Sequence, residues 1–179
     1  MPEKKEFNFK AEQLNRLFPF FIQLNKAGTI VDVGPSLKKL LDVDTPVLFS
    51  EMFNIKRPYC RDISIETFIA LKDQLVVLEA AGDPSIVLRG QLEVMDSSGH
   101  VFFFGSPWYY SMDQVVESGL TINEFARHDA VIDLLHVQKT LEITANEMKE
   151  LLFQMKREKE KAKIRALKHL KYHLRNRRL

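Results

Sequence analysis

The sequence predicts an α+β protein: an antiparallel sheet with its helices on one side, a short helix before it and a long helix after it. Three observations carry that prediction. Residues 20–34 and 85–110 each read as two β-rich runs around a polar, glycine-containing turn. Between them lie short stretches with apolar residues at helical spacing. From about residue 130 onward, apolar side chains recur every seven positions.

Taken in order, KAEQLNRLF (10–18) places Leu14, Leu17 and Phe18 on one helical face before Pro19 stops the helix. FFIQLNKAGTIVDVG (20–34) folds into a hairpin about Asn25–Gly28, with Thr29, Ile30 and Val31 marking its second strand. Over 35–57 the sequence predicts short helical pieces: Ser36 caps one that holds Leu37, Leu40 and Leu41, and VLFSEMF (47–53) adds another turn or two before Arg57-Pro58 interrupts. A longer helix is predicted over about 64–80, capped by Ser64 or Asp62. Its stripe is Ile65, Phe68, Ile69, Lys72, Leu75, Val76 and Leu78, and the break at Ala81–Pro84 ends it. SIVLRGQLEVM (85–95) and HVFFFGSPWYY (100–110) are strands joined by Asp96–Gly99.

The run FFFGSPWYY (102–110) carries six aromatic rings in nine positions. It fits a stacking platform for nucleobases, a pocket wall, or a strand covered on both faces. Its place in a hairpin favours the strand. Phe102 and Phe104 then point one way, and Val101, Phe103 and Gly105 the other. Both faces are apolar, so connecting helices are expected on one and the N-terminal helix or a partner subunit on the other. Pro107 cannot donate to a ladder and marks a bend or the strand's release.

Composition sets the outer bounds. The 179 residues are 45% apolar, enough for one ordinary domain and an appendage. MPEKKEFNFK is charged from residue 3 and leads no apolar run, which argues against a signal peptide. With Cys60 alone there is no intrachain disulfide, and the expected location is cytoplasmic. The net charge of +2 conceals an asymmetry. Residues 156–179 hold eleven Lys or Arg and two Glu; taking that +9 from the total leaves −7 on residues 1–155.

Little in the sequence points to catalysis. His100 falls in a predicted turn and His136 on the long helix, where solvated histidines are the ordinary case. His169 and His173 have the i, i+4 spacing of metal ligands, but Lys168, Lys171 and Arg175 surround them with positive charge. Arg61 stands next to Cys60 without any Cys-His constellation, and the seven glycines match neither a phosphate loop nor a dinucleotide fingerprint. No enzyme activity, metal or bound cofactor is expected.

The predicted order is that of a PAS-type sensor domain. The resemblance narrows further through LFPFFIQLNKAGTIVDVGPSL, VLFSEMFNIKRP, ETFIALKDQLVVLE, LRGQL and, above all, FFFGSPWYYSMDQVVESGLTINEFARHDAVIDLL. These segments, over roughly residues 17–140, resemble the haem-NO-binding-associated domain, the PAS-like module that accompanies haem nitric-oxide sensor domains in soluble guanylate cyclases and bacterial signalling proteins. The spacing among Ser106-Pro107, Asp113, Ser118-Gly119-Leu120 and His128-Asp129 carries the likeness. The family often has histidine after Phe-Pro-Phe; here that position is Phe21, and no role resting on that histidine is carried over.

His128-Asp129 stands where the domain gives way to the long helix, so Asp129 is placed to cap its first turn or to bond back to the sheet. The resemblance adds the role of a signalling junction. Along the helix, Leu134, Leu141, Met148 and Met155 lie seven apart, with Val137 and Leu151 on one flank and Ala145 and Leu152 on the other. That repeat fits a parallel two-stranded coiled coil, hence a homodimer. The expected organisation is an N-terminal helical cap (1–19), a PAS-like domain (20–128), and a signalling helix with a basic tail (129–179). The resemblance implies a sensory and dimerisation module that relays a signal from a haem nitric-oxide sensor to a cyclase or histidine-kinase effector. Two other readings stay open: a ligand-gated sensor with a pocket among Phe20, Ile22, Phe68, Leu75 and Phe103, and an adaptor that binds nucleic acid or an anionic membrane through the tail.

Overall fold

A computed structural model describes residues 9–60, 63–95 and 99–176, with side chains as far as residue 171. Asp62, the turn residues Asp96–Ser98 and the side chain of His173 lie outside the described residues. The chain divides into two compact units, Met1–Leu135 and His136–Leu179.

The first unit is α+β, built on one seven-stranded antiparallel sheet of order β3-β2-β1-β7-β6-β5-β4. Its elements are α1 (Ala11–Leu17), β1 (Ile22–Leu24), β2 (Thr29–Val33), α2 (Pro35–Leu40), β3 (Val47–Leu48), α3 (Phe49–Met52), β4 (Phe53–Arg57), α4 (Ile65–Ala70), β5 (Val76–Ala80), β6 (Val87–Met95), β7 (His100–Pro107) and α5 (Met112–Glu117). A 3₁₀ turn, Ile122–Glu124, precedes α6 (Val131–Asn176), whose first turn belongs to this unit.

The two predicted hairpins form as expected. β1 and β2 turn at Asn25–Gly28, where Asn25 Oδ1 accepts from the amides of Ala27 and Thr29 and Gly28 takes φ +73°. β6 and β7 pair from Met95↔His100 to Leu88↔Pro107, and β1 docks on the other side of β7 with Ile22↔Phe103 and Gln23↔Phe102. The strand of the aromatic run is thus the centre of the sheet. Alternation puts Val101 and Phe103 in the main core, which also holds Phe20, Ile22, Leu37, Phe49, Phe68, Leu88 and Leu92. Phe102 and Phe104 face the other way and are half-buried, stacked on each other at 5.5 Å. Phe18, at the end of α1, covers Phe104 at 4.5 Å. Phe21 and Val77 are also buried, outside the main core cluster.

The middle of the chain departs from expectation. The helix predicted over 64–80 ends at Ala70, and Val76–Ala80 is β5, paired with β4 and β6. Ser64 does cap α4, accepting from the amide of Thr67. A β-branched run buried on both sides is a strand, and Val76, Val77 and Leu78 are all buried. VLFSEMF is likewise only helical at its centre: it begins in β3, passes through the single turn α3 and ends in β4. Gly34, not Ser36, occupies the cap position of α2, with Pro35 in the first turn. The buried Ser36 hydroxyl instead donates to the carbonyl of Glu124 at 2.6 Å. His100 starts β7 rather than sitting in the turn, with its Nδ1 2.9 Å from the Gln23 amide nitrogen.

The second unit is the continuation of α6. No helix among the described residues is long and apolar enough to cross a membrane.

Candidate functional site

The segment that leaves β7 and enters α6 concentrates the polar contacts of the first unit. Asp129 bridges two elements. Its Oδ1 accepts from the amide of Val131 at 3.0 Å, satisfying a donor of the first turn of α6, and its Oδ2 accepts from the hydroxyl of Ser106 on β7. Both alternatives that the sequence offered for this side chain are therefore realised at once. Ser106 had been part of a motif without a role; its place among the outward positions of β7, beside Phe102 and Phe104, is what aims its hydroxyl at Asp129. His128 is exposed and meets the ring of Phe18 edge-on at 6.3 Å. A file of rings, Phe102, Phe104, Phe18 and His128, thus runs from the sheet to the junction.

A second tie lies just upstream. Glu124 closes a capping box with Thr121, accepting from its amide at 2.6 Å and from its hydroxyl, and takes an ion pair from Lys39 on α2 at 2.7 Å. The hydrogen bond from Lys39, then those from Thr121, pull its carboxyl from 4.5 to about 2. Thr121-x-x-Glu124 is a legible capping-box signature, and it is the signal by which this residue was available from sequence. Phe125 follows it into the core, 5.2 Å from Phe20, and Ile132 and Leu135 bury the inner side of the first turn of α6.

An open groove of about 780 Å³ runs along the outer face beside this junction. Its walls include Phe18, Leu75, Phe104, Trp108, His128 and Asp129, with the Arg89 guanidinium 5.5 Å over the Trp108 ring. Of the five residues suggested as a pocket, Leu75 lines this groove and is half-exposed. Phe20, Ile22, Phe68 and Phe103 are fully buried in the core on the opposite face. The structure does not gather the five around one space.

The residues expected at a coiled-coil seam are all on α6 and all exposed: Leu134, Leu141, Met148, Leu152 and Met155 at 51–68%, and Ala145 among them. A file of large apolar side chains left this open to water is unsatisfied until something covers it. Elsewhere, Cys60 is half-buried with its thiol 3.5 Å from the Pro58 carbonyl, and His136 and His169 are exposed on α6. Among the described residues no three His, Cys, Asp or Glu side chains gather as metal ligands would.

Removal of the Asp129 carboxylate tests the bridge. Asp129→Ala is expected to lower stability by about 1–2 kcal/mol, since it loses a cap and leaves Ser106 without its acceptor. Urea unfolding would show it, and Ser106→Ala in the Asp129→Ala background should then add almost nothing.

A family model described as Heme NO binding associated matches residues 7–84 and 80–174. The chain is 27% identical over 131 residues to guanylate cyclase soluble subunit alpha-2 of Homo sapiens, covering 68% of this chain and 18% of that protein. It is 24% identical over 159 residues to guanylate cyclase soluble subunit beta-2 of Rattus norvegicus, covering 82% and 22% respectively. Guanylate cyclase soluble subunit alpha-1 of Bos taurus is 25% identical over 130 residues, covering 67% and 19%. The chain spans about a fifth of the length of these curated relatives.

Proposed function

We propose, from the premise that this chain belongs to the Heme NO binding associated family, that it is a PAS-like sensory and dimerisation module that passes a signal through a parallel coiled coil. Its input partner is a haem nitric-oxide sensor, and its output partner is a cyclase or histidine-kinase effector. It carries no catalytic centre of its own and works in the cytoplasm. The expected organisation, a helical cap over residues 1–19, a PAS-like domain over 20–128 and a signalling helix from 129, belongs to the same reading.

The observation that carries it is the seven-residue apolar file on α6, exposed from Leu134 to Met155, on a helix whose first turn is held to β7 by Asp129. A second copy in parallel would bury that file. His128 and Asp129 are the junction: a displacement of β7 or of the rings beside it acts on the start of the helix through Ser106 and Phe18. The family description supports a haem nitric-oxide sensor as input, and the likeness to guanylate cyclase soluble subunits supports a cyclase as output.

The test is the phase of the helix. In a fusion to a cyclase or kinase output domain, one residue inserted after Met148 turns everything downstream by about 100°. Seven residues nearly restore the original face. Output is expected to collapse with the single insertion and to return with seven. Output indifferent to insertion length would overturn transmission by register.

A further inference from the structure

Past Met155, α6 changes character. Residues 156–171 hold eight Lys or Arg and only two Glu. Both glutamates are already answered within the helix, Glu158 by Lys161 at 2.8 Å and Glu160 by Lys163 at 3.5 Å. Eight cations against two glutamates still leave this stretch with a net charge of +6. Through the same stretch run Ile164, Leu167 and Leu170, exposed by 49%, 60% and 61%.

Ile164 and Leu167 do not continue the seam, while Leu170 lies about 60° from Met155, at its flank. At about 100° per residue, Ile164 lies roughly opposite Met155 around the helix and Leu167 about 120° from it. The positions that do extend the seven-residue interval include Ala162 and His169, with Glu158 and Arg165 on the flank that Val137 and Leu151 occupy upstream. A pair of helices closed along Leu141, Met148 and Met155 therefore leaves Ile164 and Leu167 outside, and sets two strongly basic segments side by side. An anionic partner relieves the second condition, and only one that also offers an apolar layer relieves the first.

We propose that residues 156–171 of α6 form a docking surface for an anionic lipid bilayer. Phosphate groups alone account for the lysines and arginines but not for three large aliphatic side chains open to water. A bilayer surface takes both, the cations at the headgroups and the aliphatic file at the acyl boundary. Nucleic acid fits less well, because Ile164, Leu167 and Leu170 neither stack on a base nor bind a phosphate and would stay open to water. The surface itself needs only that this stretch be helical. The seam reading enters in one respect, that pairing upstream leaves this face free.

The test is co-sedimentation of the full chain with phosphatidylcholine vesicles, with and without phosphatidylserine as about a third of the lipid, at low and at high salt. Binding is expected to the phosphatidylserine vesicles alone and to fade as salt rises. The triple variant Ile164→Gln, Leu167→Gln, Leu170→Gln keeps every charge and should bind about tenfold or more weakly. The variant Lys156→Gln, Lys159→Gln, Lys168→Gln, Lys171→Gln should lose about a hundredfold or more. Circular dichroism at unchanged helicity excludes unfolding as the cause. Leu141→Lys with Met148→Lys separates the two readings: vesicle binding that persists in this variant supports the surface whether or not the seam pairs. Equal binding to pure phosphatidylcholine, no binding to the anionic vesicles, or full binding by the glutamine triple variant would each overturn the proposal. So would tighter binding to a duplex oligonucleotide that ignores the aliphatic substitutions.

Discussion

Phe103→Ala is expected to lower the unfolding free energy by about 3–5 kcal/mol, the cost of emptying a large aromatic site in a core that cannot collapse to fill it. Phe103 is fully buried at the centre of β7, in register with Ile22 on one side and Leu92 on the other. Gly105 supplies part of the reason for its fit: a Cβ there would come within 2.7 Å of the Phe103 ring, so the glycine makes room for it. Phe102→Ala and Phe104→Ala should cost less, about half as much, because those rings are half-buried on the outer face and lean on Phe18, Phe21 and each other. Urea or thermal unfolding of the three variants would establish the order. Equal stability for all three, with loss of oligonucleotide binding, would instead make the run a stacking platform.

Leu141→Lys combined with Met148→Lys should weaken self-association by at least about a hundredfold, since a parallel pair would have to bury four like charges along its apolar contact. In the single chain both positions are open, at 64% and 55% exposure, so the substitutions leave the sheet and its core untouched. The unfolding transition of the first unit is therefore expected to stay where it was. Asn146→Lys with Glu150→Lys, on the opposite side of α6, adds charge without touching the apolar file and should do far less. Sedimentation velocity across a concentration series distinguishes the two pairs. If the Leu141/Met148 variant sediments as the parent does, the exposed file is not a dimer seam.

Several elements were legible in the sequence because their signals are local. Pro19 ends α1, Asn25–Gly28 turns the first hairpin, and alternation through Val101, Phe103 and Gly105 assigns the faces of β7 without knowledge of any other strand. The seven-residue interval on α6 and the concentration of charge after Met155 are likewise written in spacing and composition. His128-Asp129 could be placed at the domain's exit, and Asp129 given two candidate bonds, from position and residue type alone.

The rest depended on what lies across the fold. Ile65, Phe68, Leu75 and Val76 satisfy a helical period, but Val76–Ala80 pairs with two distant strands, and the ladder bonds and double-sided burial of Val76, Val77 and Leu78 outweigh a pattern that a helix could use on one face only. β3, two residues at one edge, is too brief to show alternation; β4 at the other edge does alternate, with Phe53 and Ile55 buried and Asn54 and Lys56 exposed, but its pairing with β5 is a property of the fold. Ser36 turned from a cap into a donor to Glu124, and Ser106 into the partner of Asp129, through contacts 88 and 23 residues apart. Open space was the least legible feature. A list of large apolar residues does not reveal which of them fill one another, and Phe20, Ile22, Phe68 and Phe103 close the core while the groove opens on the opposite face of the sheet. Hydrophobic spacing is a property of a segment and can be read from it; burial, pairing and vacancy are properties of surfaces brought together from remote segments, and only the tertiary structure decides them.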